Sequence, residues 1–243
     1  MCNLCGNSTR HNGIARRDIL RGAVAAAGLA IASGVHAAPV KTPPKPGNVL
    51  SPDAALDRLM KGNGRYVKGA TMRVDFKHER EALSAGQNPF AAVLSCADSR
   101  VAPEFCFDSA RGDVFVCRVA GNFASDEIIA SLEYAVSVLN APLIMVLGHE
   151  ACGAVDATIK SVKDDTALPG HLPSLVHALT PAVQAAQGQS GDLLANAIRS
   201  NVTMNVQRLR TSTPILKSFV DDGKLRVVGG IYELKTGRVS LTT

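Results

Sequence analysis

The chain has 243 residues, enough for one or two domains, and its 46% hydrophobic and 19% charged composition is ordinary for a globular protein, which excludes a disordered chain, a collagen and a small disulfide scaffold. The net charge of +5 is concentrated at the front: beyond the first 37 residues, 22 Lys/Arg stand against 20 Asp/Glu, a balance of +2 with no Lys/Arg run, so no charge feature points to nucleic acid as a partner. Aromatics are 4% with no Trp, so the core is expected to be aliphatic.

Residues 14–21, IARRDILR, place Arg16 and Arg17 ahead of an apolar run, Gly22 to Val35, that exits through Val35-His36-Ala37. That run has 14 residues, short of the ~18–20 a spanning helix needs, so residues 1–37 read as a signal peptide and no stable membrane anchor is expected. The paired arginines, with Ile19, Leu20 and Arg21 behind them, resemble a twin-arginine export signal, with Ala15 where Ser or Thr is usual, which implies a periplasmic or exported protein. Residues 38–49 read as an extended Pro/Lys-rich linker, and 50–243 as the folded body. Cys2 and Cys5 form a CxxC inside the leader with no second pair at zinc-finger spacing, so the mature chain keeps Cys96, Cys106, Cys117 and Cys152.

Ser51-Pro52-Asp53 is a helix start, leading into AALDRLMKGNGRYVKG, and HEREALSAG is a second helical stretch that stops at Gly86. AAVLSCAD (91–98), VFVCRVAG (114–121) and PLIMVLGH (142–149) are continuous apolar runs of strand length, as in a parallel sheet buried on both faces. Between the last two, residues 124–140 carry Ile128, Leu132, Ala135, Val136 and Leu139 at helical spacing behind a Ser125 cap, giving a βαβ crossover. Helical stretches follow at 151–160, 174–187, 191–211 and 213–223, and a hairpin closes the chain around Lys235-Thr236-Gly237. The expected fold is a single α/β domain with a mostly parallel central sheet, an antiparallel edge strand and flanking helices.

Cys96-Ala-Asp98-Ser-Arg100 falls at the end of the first strand and His149-Glu-Ala-Cys152 where a later strand gives way to a helix. Both sites are carboxyl ends of strands, where open α/β sheets bind ligands. The period of two puts Cys96, Asp98 and Arg100 on one face, and a first helical turn does the same for His149 and Cys152. Two thiolates, one imidazole and one carboxylate are four candidate donors suited to tetrahedral zinc. Cys106 and Cys117 read as small core hydrophobes.

Cys-x-Asp-x-Arg followed by His-x-x-Cys-Gly resembles the β-class carbonic anhydrases, and the resemblance spans roughly 50–240, including the closing VVGGIYELKTGRV. It implies a zinc ion on Cys96, His149 and Cys152, an Asp98–Arg100 dyad, and Asp98 as fourth ligand in a closed state. It also implies an active-site glutamine at Gln87, nine residues before Cys96, and a substrate pocket at Phe115, Tyr134 and Gly153. The implied activity is reversible hydration of CO2 to bicarbonate and a proton by zinc-bound hydroxide. The implied assembly is a homodimer or higher even oligomer in which Tyr134 or Phe115 completes a neighbour's pocket. Val93 stands three residues before Cys96, where the bicarbonate-regulated branch has Trp, so the likeness is to the plant-type branch, although Ala120 stands where that branch commonly has Val. Two other readings compete. Hydrolysis of CS2 or COS could run on the same zinc site, and a non-catalytic zinc or redox module would use the cysteines but have no need of Arg100 or Gln87.

Overall fold

The computed structural model describes residues 43–73, 75–164 and 168–242; the leader read at 1–37, with Arg16, Arg17, Cys2 and Cys5, lies outside them. Helix α1 (Pro52–Val67) starts at the Ser51 cap, whose Oγ accepts the Ala54 N–H at 3.3 Å, and α2 (Phe76–Ser84) is capped by Asp75. The three apolar runs form β1 (Ala91–Ser95), β2 (Val114–Arg118) and β3 (Leu143–His149), with a one-turn helix α3 (Pro103–Cys106) after β1 and α4 (Asp126–Ser137) between β2 and β3. Helices α5 (Gly153–Asp164), α6 (Leu172–Ala186), α7 (Leu193–Thr211) and α8 (Ile215–Asp221) lead to β4 (Arg226–Tyr232) and β5 (Val239–Leu241).

The five strands lie in the order β2-β1-β3-β4-β5, parallel except for the β4–β5 pair. Connections leave β1 toward β2 on one side and β3 toward β4 on the other, so the order reverses between β1 and β3, where such sheets bind ligands. Both faces are covered over β1 and β3, which is why those sequences do not alternate, whereas β2, at the edge of the sheet, is mostly half-buried, which corrects the expectation that all three runs are buried on both faces. Ala91, Val93, Leu143, Met145 and Leu147 pack under Leu56 and Leu59 of α1 and against Phe107, whereas Ala92, Leu94, Ile144 and Val146 face Leu132 of α4, Val202 and Leu209 of α7 and Leu216 of α8. Helix α7 lies so close to β3 that a Cβ at Gly148 would stand 2.6 Å from Val202 Cγ2, which explains a glycine just before His149.

The expectation of an extended segment up to residue 49 is corrected by residues 43–49. Pro46–Asn48 is a turn of 3-10 helix, started by the fixed φ of Pro46. Its neighbours are fastened to buried Asp113: Lys45 Nζ donates to Asp113 Oδ1 at 3.0 Å and to Glu79 Oε1 at 2.9 Å, and Asn48 Nδ2 donates to Asp113 Oδ1 at 3.1 Å. A buried carboxylate needs partners, and this strap supplies them. Among the described residues no helix is long and apolar enough to cross a membrane.

Candidate metal centre

Cys96 follows the last residue of β1, His149 ends β3, and Cys152 stands just before α5. Parallel pairing of β1 and β3 sets Ser95 beside Leu147, so Cys96 and His149 leave the sheet at nearly the same level. Ala151 adopts a left-handed φ of 51°, a tight turn that brings Cys152 back toward the His149 ring. One ligand atom from each of the three buried residues lies within 4.8 Å of the others.

The imidazole is oriented from behind. Its Nδ1 lies 2.8 Å from the Glu150 carbonyl, an acceptor, so Nδ1 carries the proton and donates. Nε2 is then a lone pair aimed at the sulfurs, buried and without a hydrogen-bond partner. Such an orphan costs about 1–3 kcal/mol unless something coordinates it. The neighbouring Cys152 holds Cys96 down to about 4 against its burial, helped by the His149 ring and the Gly121 N–H, while Cys96 and burial push Cys152 up. Burial presses the His149 ring toward neutrality, but the Cys96 thiolate beside it outweighs that and raises its pKa. Two thiolates and one imidazole converging on a dry point are a fitting donor set for zinc, with one tetrahedral position left over.

Beside that position lies Asp98. Arg100 grips its carboxylate in a fork, Nε to Oδ1 at 2.9 Å and Nη2 to Oδ2 at 2.7 Å, and the Arg100 backbone N–H adds a third bond to Oδ1 at 2.9 Å. The guanidinium holds the Asp98 carboxyl well below the usual carboxylate range. Asp98 Oδ2 is 3.8 Å from His149 Nε2, so the tied carboxylate already faces the metal pocket.

A family model described as carbonic anhydrase matches residues 91–239. The chain is 37% identical over 192 residues to carbonic anhydrase 2 of Mycobacterium tuberculosis, covering 79% of this chain and 93% of that protein. To the carbonic anhydrase of Mycolicibacterium smegmatis it is 36% identical, with the same 79% and 93% coverage. The chain belongs to the β-class carbonic anhydrases. Solved structures agree: the β-carbonic anhydrase CcaA superposes with a TM-score of 0.58 at 30% identity over 76% of this chain and 94% of that one. A Coccomyxa β-carbonic anhydrase in complex with acetazolamide gives 0.58 at 27% identity over 78% of this chain and 82% of that one. A structure reported for two tetrameric β-carbonic anhydrases of Sordaria macrospora shares the fold, with a TM-score of 0.61 at 23% identity over 78% of this chain and 95% of that one.

Within one chain of this carbonic anhydrase the remaining site residues do not gather at the metal. Phe115 pairs with Ala92, four positions before Cys96, which at ~3.3 Å per residue puts it about 13 Å back along the sheet. Tyr134 packs its ring against Phe115 at 6.4 Å and is 47% exposed on α4. Gln87 is exposed and precedes β1, so the whole strand separates it from Cys96. Gly153 does border the centre as the first residue of α5, and a Cβ there would meet nothing within 4 Å, so that side is open. Cys106 and Cys117 are buried elsewhere, each pushed up to about 11 by burial.

One residue that organises the centre is absent from the sequence reading. Arg118, at the end of β2, donates to three carbonyls of the 96–101 loop: Cys96 at 2.9 Å, Asp98 at 2.7 Å and Val101 at 2.9 Å. It fixes both the thiolate ligand and the dyad. Its only sequence signal is a cation ending an apolar run.

Proposed function

We propose that this β-class carbonic anhydrase binds zinc through Cys96, His149 and Cys152 and interconverts CO2 and water with bicarbonate and a proton. The observation that carries the reading is the convergence of three buried donors, with an orphaned Nε2, on a point faced by a carboxylate that Arg100 holds away from it. Zinc supplies Lewis acidity, lowering the pKa of water from 15.7 toward neutrality. Asp98 accepts a hydrogen bond from the attacking water and turns its lone pair toward the carbon of CO2. Arg100 keeps that carboxylate ionised and prevents it from taking the fourth ligand position. A C–O bond forms, one C=O π pair moves to oxygen, and the proton lost from water leaves to solvent.

The residues far from the centre in one chain are read as serving a second copy. Gln87 then donates to the developing carboxylate, and Phe115 with Tyr134 walls the partner's pocket, in a homodimer or higher even oligomer. Val93, wholly buried in β1 and packed with the α1 layer, stands where the bicarbonate-regulated branch has Trp, which supports the plant-type, unregulated branch. The Arg16-Arg17 leader supports export by the twin-arginine route to the periplasm, which would carry the folded, metal-loaded chain past an oxidising compartment's threat to its thiolates.

The test of activity is a substrate comparison on the zinc-loaded protein. CO2 hydration followed by stopped flow, with COS and CS2 hydrolysis followed by sulfide release, is expected to favour CO2; sulfide release that outpaces CO2 hydration would replace this reading with the COS/CS2 one.

A further inference from the structure

The loop that follows β2 reaches the metal centre but is not part of the sheet. Its Gly121 N–H donates to Cys96 Sγ at 3.3 Å. Aiming that N–H requires left-handed backbone at Gly121 (φ 84°) and at Asn122 (φ 42°), a conformation a non-glycine residue adopts at a cost. Something outside the loop must hold it.

Helix α7 does so with two buried asparagines one turn apart, Asn201 and Asn205. The Ala124 N–H donates to Asn205 Oδ1 at 2.7 Å, which forces the amide orientation of Asn205, because an N–H can meet only an acceptor. Asn205 Nδ2 then points back along α7 and donates to Asn201 Oδ1 at 2.9 Å and to Asn201 O at 2.8 Å. That in turn leaves Asn201 Nδ2 as the donor to Gly121 O, at 2.8 Å. Each amide orientation dictates the next, so the pair has one arrangement. On the opposite side Leu179 of α6 presses on Gly121, where a Cβ would lie 2.7 Å from Leu179 Cδ1. The loop is gripped between two helices, polar on one side and apolar on the other.

We propose that Asn201 and Asn205 are positioning residues for the metal thiolate: through Gly121 O and the Ala124 N–H they pin the 121–124 loop so that the Gly121 N–H donates to Cys96 Sγ whether or not metal is bound. The inference rests on the reading of Cys96 as a metal ligand. Its consequence follows from charge. Two thiolates neutralise a divalent ion, so a donor that withdraws charge from one sulfur keeps the ion more electrophilic and tightens its hold on acidic oxygen ligands. Released from α7, the loop lets the N–H turn away and Cys96 becomes more electron-rich.

The test uses the full chain loaded with cobalt(II) in place of zinc. In N201A the sulfur-to-cobalt charge-transfer band is expected at longer wavelength than in the unaltered protein, and, because the released loop no longer holds Cys96 in place, loss of metal to a chelator about 10-fold faster. N196A, which removes a half-buried asparagine of the same helix bonded to Ser190 O, is the control and should change neither. A band and an off-rate in N201A equal to those of the unaltered protein would overturn the positioning role. Cobalt bound with no thiolate charge-transfer band in the unaltered protein would instead sink the ligand assignment beneath it. Should N201A not fold, amide exchange in the unaltered, metal-stripped protein decides: the Gly121 and Ala124 amides are expected to stay protected, and loss of that protection with the metal would show that the metal, not α7, orders the loop.

Discussion

Replacing Arg100 by Ala isolates the dyad. Its guanidinium supplies two of the three hydrogen bonds on the Asp98 carboxylate and all of the neighbouring positive charge from its own loop. In the intact protein the lowered pKa of Asp98 means that the dyad is fully formed above the ordinary carboxylate range and is lost only as pH falls through the lowered value, so it is intact at every pH where the enzyme works. Without Arg100 one backbone bond remains, the pKa returns upward, and Oδ2, already 3.8 Å from His149 Nε2, is a side-chain rotation from the fourth ligand position. Loss of an oriented proton acceptor costs roughly 10²–10⁴-fold, and a fall of about 10²–10³ in kcat/KM for CO2 is expected, because Asp98 itself is still present. Zinc content should remain one per chain and Tm should move by no more than about 2 °C, since Arg100 is largely exposed. Arg100→Lys, a point charge without the fork, should fall between the two. Stopped-flow hydration with zinc measured on the same samples is the assay; R100A with full activity and full zinc would refute the reasoning.

Mixing C96S and Q87A chains, each inactive alone, should restore native sites in about a quarter of positions if Gln87 serves the neighbouring copy, and no restoration on mixing would return Gln87 to its own chain or to no role. Asp113→Ala strips Lys45, Arg58 and Asn48 of a nearly dry partner and should cost about 3 kcal/mol in urea unfolding, whereas an unchanged midpoint would show the strap to be ornamental. Gly62→Ala should destabilise by about 1–3 kcal/mol although Ala is the better helix former, because a Cβ there collides with the Phe107 carbonyl oxygen, and a stabilised variant would contradict that packing. Zinc affinity should weaken as pH falls from 8 to 6, since Cys152, pushed up by Cys96 and by burial, retains a proton that the metal must displace; competition with a chelator at each pH measures it, and a flat profile would contradict the raised Cys152 pKa. Arg17→Lys should hold the protein in the cytoplasm, and undiminished export would remove the twin-arginine reading.

What the sequence made legible was whatever is local or periodic. The runs at 91–95, 114–118 and 143–149 all form strands, the first and last unbroken because both faces of the sheet are covered there, and the Ser51 and Ser125 caps mark helix starts that the structure places at Pro52 and Asp126. Cys96, His149 and Cys152 could be grouped because parallel strands deliver their carboxyl ends to one edge, a rule that needs no distances. What stayed hidden depends on contacts between distant segments. Arg118 is a lone cation until β2 lies beside β1, and Asn201 with Asn205 looks like two polar interruptions of an amphipathic helix until the 121–124 loop meets them. Residues 43–49 read as extended from proline content, yet Lys45 and Asn48 find Asp113 some 65 positions away. Gln87, Phe115 and Tyr134 carry a family likeness that says nothing of which chain they serve, and only the register of β1 with β2 places Phe115 far from its own Cys96.

The central claim, a zinc ion on Cys96, His149 and Cys152 doing carbonic anhydrase chemistry, is met most directly by titrating zinc into the metal-stripped protein while measuring CO2 hydration by stopped flow at mildly alkaline pH. Activity is expected to rise linearly from the uncatalysed rate and to saturate at one zinc per chain. Saturation of the site with no hydration, or hydration that does not depend on zinc, would contradict it.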